Sequence, residues 1–230
     1  MTTDVIVITG TRLTPPYDPG PSGPGMHLHP DTDQGGGGGD WGDPDPVQGE
    51  DPCQGQSEAS SAHLPDDIQN VRTVAQTAAT TLISRVSGTQ FIEHGVFIVR
   101  DQSGALRATD TFTSNSSDTI SFRVENGVPS GPLQALRNIP GTDTIVGFAH
   151  LHRNDPRPSE DDARFAQHLR SNGFLMGATA MIDPNFMDYI VWFPPEQHNV
   201  PGTPSLREFS EHEMAQIRGG NTNACGLRLD

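Results

Sequence analysis

The apolar, partly β-branched run Thr144-Ile145-Val146-Gly147-Phe148-Ala149 leads straight into His150-Leu151-His152, and Pro158-Ser159-Glu160-Asp161-Asp162 follows shortly after. The run reads as a buried strand. Side chains alternate along a strand with period 2, so both imidazoles fall on one side of it. Ser159 reads as the N-cap of a helix with acids in its first turn. A carboxylate from that helix could join the two imidazoles. Two neutral imidazoles and one carboxylate form a ligand set that zinc accepts while keeping a fourth position for water.

A plainer account of the same residues exists. Ser159 to Asp162 is also capping-box spacing, with Asp in place of the usual Glu or Gln. A third element sharpens the site reading. Phe91-Ile92-Glu93-His94-Gly95-Val96-Phe97-Ile98-Val99 is another buried-strand pattern, and Glu93 is its one carboxylate. A charge amid so much apolar sequence is expensive to bury without a partner. The alternative is an exposed strand start.

Taken together, Glu93-His94-Gly95, His150-Leu151-His152 and Ser159-x-x-Asp162 resemble the JAMM motif of the JAB/MPN metalloprotease superfamily. The resemblance covers roughly residues 66 to 195 and is nearest in style to the bacterial JAB-like domains at the C-termini of polymorphic toxins. The family pattern differs at two points: six residues separate His152 from Ser159, one fewer than expected, and Arg153 stands where Pro is usual. The resemblance implies an α/β fold with a JAB/MPN-like mixed sheet flanked by helices. It implies Zn2+ held by His150, His152 and Asp162, with Glu93 as general base and Ser159 stabilising an oxyanion. The implied reaction is hydrolysis of a peptide or isopeptide bond, so the implied partner is a protein or peptide substrate. A toxin setting would add an immunity protein. The alternative is a catalytically inactive JAB-like interaction module.

Composition divides the chain. Residues 1–65 hold 10 of the 20 prolines and the Gly35 to Gly39 run, with ten acids against one Arg. Such a segment buries too little apolar surface to offset its ordering entropy, so disorder is expected there. The exception is the strand-like Asp4-Val5-Ile6-Val7-Ile8-Thr9, which could dock on a sheet or a partner. The expected division is therefore 1–65 disordered, 66–200 metallohydrolase domain, and 201–230 an extension that could hold a helix over 205–217. The net charge of −15 argues against nucleic acid and anionic membrane as partners. The N-terminus shows no secretory signal pattern, and no run approaches the length of a membrane span. A cytoplasmic location, or secretion without a cleavable signal, is expected. Cys53 and Cys225 fit neither a CxxC site nor a disulfide framework; two free thiols and a single bridge are the alternatives.

Elsewhere the pattern predicts a helix from about Asp66 to Gly88 and a hairpin of 91–100 with 105–113. It predicts a strand at 119–124, a helix from Pro132 to about Asn138, the histidine strand at 144–151 and a helix at 160–171. A last pair of strands, 174–182 and 188–193, is expected to turn at Asp183-Pro184-Asn185. His27-Leu28-His29 lies in the Gly/Pro-rich segment with no strand pattern and reads as a decoy. His94 should point away from Glu93, His168 should be solvated, and Tyr189, Trp192 and Phe193 should be core.

Overall fold

The computed structural model describes residues 6–9, 53, 64, 66–86, 91–115, 119–153, 155–173, 177–192, 205–221 and 223–229. In chain order these form β1 (Ile6–Thr9), α1 (Ile68–Ser84), β2 (His94–Arg100), β3 (Leu106–Ala108), β4 (Phe112–Thr113) and β5 (Thr119–Phe122). They continue with β6 (Val124–Glu125), β7 (Val128–Pro129), α2 (Gly131–Arg137), β8 (Thr144–His152) and α3 (Glu160–Asn172). The last elements are β9 (Met181–Trp192), β10 (Ser205–Phe209), α4 (Glu211–Arg218) and β11 (Leu227–Arg228).

The main sheet runs β11-β10-β9-β8-β2-β3, with β4 also on β2. β8 and β9 are parallel, and the other recorded pairs of this sheet are antiparallel. A parallel pair needs a long crossover, and α3 supplies it. The result is a mixed sheet flanked by helices. Ile6–Thr9 pairs antiparallel with β5 in a separate two-stranded ribbon. Cys53 is disulfide-bonded to Cys225 across a sequence separation of 172, with Cα atoms 5.5 Å apart. Those stretches are the described parts of the segment expected to be disordered, together with Leu64.

Alternation along the strands builds two cores. Val96, Ile98, Ala149, Leu151, Tyr189 and Val191 pack against Val71, Ala75, Ala78 and Leu82 of α1. On the opposite face Phe97, Val99, Phe148 and Ile190 pack against Leu136 of α2, Phe165 and Leu169 of α3, and Ile217 of α4. Five phenylalanines knit this second core, the closest pair being Phe122 and Phe165 with ring centroids 4.5 Å apart. Asp67 sits at the N-cap of α1 without capping it, because Arg100 takes its carboxylate at 2.6 Å.

Two expectations are corrected. The pair expected around Asp183-Pro184-Asn185 is one strand, β9, which passes through those residues in an irregularity of the β8–β9 register. Asp183 accepts a hydrogen bond from the Asn185 N–H at 2.8 Å, so the turn chemistry is local and does not reverse the chain. Residues 174–176 and 193–200 lie outside the described residues, Phe193 among them. The helix expected over 205–217 is a strand, β10, followed by the shorter α4. The strand expected at 119–124 is present as β5 over 119–122, and it pairs with β1 in the separate ribbon. Residues beyond 204, expected as an extension, thus add β10 and β11 to the main sheet. Among the described residues no helix is long and apolar enough to cross a membrane.

Candidate metal centre

His150 and His152 end β8 on the face covered by α3, the face that Phe148 also occupies. Both are buried, at 0% and 1% exposure. Their Nε2 atoms stand 2.9 Å apart. The Phe148 ring lies almost parallel to the His150 ring, with centroids 4.7 Å apart, and so backs that imidazole. His152 Nδ1 is 3.0 Å from the Asp155 carbonyl oxygen. A carbonyl only accepts, so this contact puts the proton on Nδ1 and leaves the Nε2 lone pair for a metal. The Asp155 side chain in turn holds its own loop by accepting from the Arg157 backbone N–H at 2.9 Å and from its guanidinium at 2.8 and 2.7 Å.

Glu93 immediately precedes β2 and is fully buried, so the exposed-start alternative does not hold. Thr113 Oγ1 fixes the backbone there by donating to the Glu93 carbonyl at 2.7 Å. Glu93, His150 and His152 each place a ligand atom within 4.8 Å of the others, a buried group that could hold a metal ion. Gly95 lies in register opposite His150. A Cβ at Gly95 would meet Phe112 Cε2 at 2.9 Å and Phe148 Cε2 at 3.0 Å, so only glycine lets the aromatic floor close beneath the site.

Ser159 caps α3, and the expected capping box is present. Its Oγ accepts from the Asp162 N–H at 3.1 Å, and its own N–H donates to Asp162 Oδ2 at 2.6 Å. The same Asp162 reaches the imidazoles: Oδ1 is 3.4 Å from His150 Nε2 and Oδ2 is 3.3 Å from His152 Nε2. Capping and ligation are therefore compatible in one side chain. Burial opposes ionisation of Asp162, but the two imidazoles outweigh it and hold this carboxyl well below the usual range. Burial also lowers the His150 pKa; the charge of Asp162 opposes that without reversing it. These two shifts favour an ionised Asp162 beside a neutral His150, the protonation state that metal binding requires.

The five residues singled out from the sequence thus come together. One more was missed. Asp188 of β9 is 1% exposed, and its Oδ1 lies 3.8 Å from His150 Nδ1. Its signal was a single acid inside the apolar run Phe186 to Trp192, the same signal that marked Glu93. Burial, then repulsion from Asp162, raises its pKa well above the usual value, while Arg170 opposes both.

Among the described residues the other histidines, His94, His168 and His212, do not belong to the cluster. His94 is half-buried in the strand edge against β4, and burial lowers its pKa. His168 is half-buried on α3, and His212 contacts Gln216 on the exposed side of α4. His27 and His29 lie outside the described residues. Tyr189 and Trp192 are core, at 0% and 4% exposure. A groove of about 450 Å³ between residues 107–112 and α2 does not include the cluster, and chemistry, not concavity, locates the site.

Compared with known proteins, the chain matches no family model and no curated protein.

Proposed function

We propose that the protein is a zinc-dependent hydrolase of JAMM type, with a JAB/MPN-like fold, that cleaves peptide or isopeptide bonds. The observation that carries this reading is the convergence of Glu93, His150, His152 and Asp162 in one buried cluster capped by Ser159. The donor set fits the metal: Asp162 Oδ1 is buried without a hydrogen-bond partner, and one nitrogen of His152 is already committed to Asp155. Glu93, Asp162 and Asp188 are all buried, at 0–1% exposure, and Glu93 and Asp162 each reach the same two imidazoles.

His150, His152 and Asp162 would hold the ion, with the α3 N-terminus favouring the negative charge of Asp162. Zinc there supplies Lewis acidity and lowers the pKa of a coordinated water toward about 7. Glu93 accepts a proton from the attacking water and passes it to the leaving amine. The Ser159 hydroxyl, which caps the helix through its lone pair, retains its hydrogen to donate to the oxygen of the carbonyl under attack. Phe148 and the neighbouring phenylalanines keep bulk water from beneath the rings, which strengthens each polar contact above them.

A second reading, a metal-holding interaction module without turnover, draws on the burial of the cluster at 0–1% exposure. One comparison separates the two. Wild type, Glu93→Gln and His150→Ala are incubated with a proteome-derived peptide library and with isopeptide-linked conjugates. Glu93→Gln should keep zinc and lose about 10²–10⁴-fold in rate, whereas His150→Ala should lose zinc and activity together. Equal cleavage by wild type and Glu93→Gln, or no turnover of any substrate, would count against a hydrolase.

A further inference from the structure

We propose that Asp188 is a positioning residue: it accepts the Nδ1–H of His150 and so presents the Nε2 of that ring to a metal ion shared with His152. The inference rests on the metal-centre reading above and adds to it the residue that sets one ligand's tautomer.

Register places Asp188. β9 runs parallel to β8 with Phe148 opposite Asp188 and His150 opposite Ile190. Asp188 therefore lies on the face that carries Phe148 and His150, one pleat short of the ligand. Its Oδ1 is 3.8 Å from His150 Nδ1. Neither Asp188 oxygen has a hydrogen-bond partner, and neither does His150 Nδ1. Two complementary buried groups, each lacking a bond, face one another. A buried polar group left unsatisfied is costly, so closing the gap by about 1 Å to hydrogen-bond distance is favourable.

The comparison with His152 gives the chemical reason. A ligating imidazole has one nitrogen on the metal and one N–H to place, and the partner of that N–H fixes ring tautomer and orientation. For His152 that partner is the Asp155 carbonyl at 3.0 Å. For His150, Asp188 is the group at the corresponding nitrogen. A carboxylate there also makes the ring a stronger donor to a metal.

Arg170 of α3 interacts electrostatically with Asp188, and it pairs with Glu211 of α4. Arg218 also grips Glu211, at 2.5 Å, and donates to the Ala163 carbonyl of α3 at 3.0 Å. The line His150–Asp188–Arg170–Glu211–Arg218 connects the cluster to the packing of α3 against α4.

The experiment measures metal affinity in the full-length protein by competition with a chromophoric chelator, for zinc, and the visible spectrum of the cobalt-loaded form. Asp188→Leu is nearly isosteric but offers no acceptor; Asp188→Asn retains one in its side-chain carbonyl. The Leu variant should bind zinc about 10–100-fold more weakly and show an altered cobalt spectrum, with Asn much closer to wild type. A folded Leu variant with wild-type affinity and spectrum would overturn the proposal. Nitrogen NMR of histidine-labelled, zinc-loaded wild type gives a second measurement independent of variant folding. It should show a proton on His150 Nδ1 and none on Nε2; a protonated Nε2 would overturn the proposal. Should wild type bind neither zinc nor cobalt, the metal-centre reading falls and this one with it. Wild-type binding with an indifferent Leu variant refutes this inference alone.

Discussion

His150 and His152 face each other through their Nε2 atoms at 2.9 Å, buried beneath the first turn of α3. Only one hydrogen fits between two nitrogens at that distance. Because His152 Nδ1 is committed to Asp155, the pair meets through the very atoms that a metal would occupy.

The first prediction distinguishes the two carboxylates beside that pair. Purified protein should carry about one zinc per chain. Asp162→Asn should lower zinc content sharply, while Glu93→Gln should leave it nearly unchanged. Metal analysis of the two variants decides the assignment. The reverse pattern would make Glu93 the third ligand and Asp162 a capping residue only.

The second prediction concerns the aromatic floor. Gly95→Val should destabilise the protein by about 1–3 kcal/mol through overpacking, since a Cβ there already meets Phe112 and Phe148 at 2.9 and 3.0 Å. Denaturant melts would show it. Zinc affinity should fall as well, because Phe148 backs the His150 ring. A stable variant with unaltered affinity would mean that the floor adapts.

The third prediction is the pH dependence of the chelated protein. Burial depresses the His150 pKa, so the unfolded chain takes up a proton first as the pH falls. Stability from this group is full above about 6.5 and is lost as pH drops below it. Asp188 acts with the opposite sign: burial raises its pKa, so its contribution is present at low pH and is lost as pH rises above about 3.9. Asp188→Asn removes the opposing contribution. In that background melting temperature should fall steadily from about pH 6.5 to 5; a rise would show that His150 is not held neutral.

The site was more legible than the frame around it, for reasons that individual residues show. His150, His152 and Glu93 stood out as polar residues in apolar strands, and Ser159-x-x-Asp162 is a local cap whose meaning does not depend on distant contacts. β10 was hidden because Arg207 and Glu208 look like a solvated helix face. Both are 1% exposed. Arg72 holds Glu208 at 2.7 and 2.8 Å, Tyr189 donates to it at 3.2 Å, and Arg207 donates to the Cys225 carbonyl at 3.2 Å. Those partners are remote in sequence, so no local pattern records them. β9 was hidden by Pro184, a turn signal that the fold uses as a register irregularity.

The fourth prediction tests the covalent link. Reduction, or Cys53→Ser with Cys225→Ser, should cost about 2–5 kcal/mol, measured as a lower unfolding midpoint, because the bond closes a very long loop. Zinc content should persist in the reduced protein under native conditions, since neither cysteine belongs to the cluster. Loss of metal on reduction would show that the C-terminal strand supports the site.

That bond also determines how the molecule comes apart when cut. Glu93, His150, His152, Ser159, Asp162 and Asp188 all lie between Cys53 and Cys225 in sequence, so the cross-link makes a closed ring with two arms. A single backbone cleavage inside the ring opens it without releasing a piece. The nicked protein would keep its mass on a non-reducing gel and fall into two fragments only when the sulfurs are separated. A strand from one side of the nick and a helix from the other would stay within reach of each other, free to re-form the site after the chain between them had been broken.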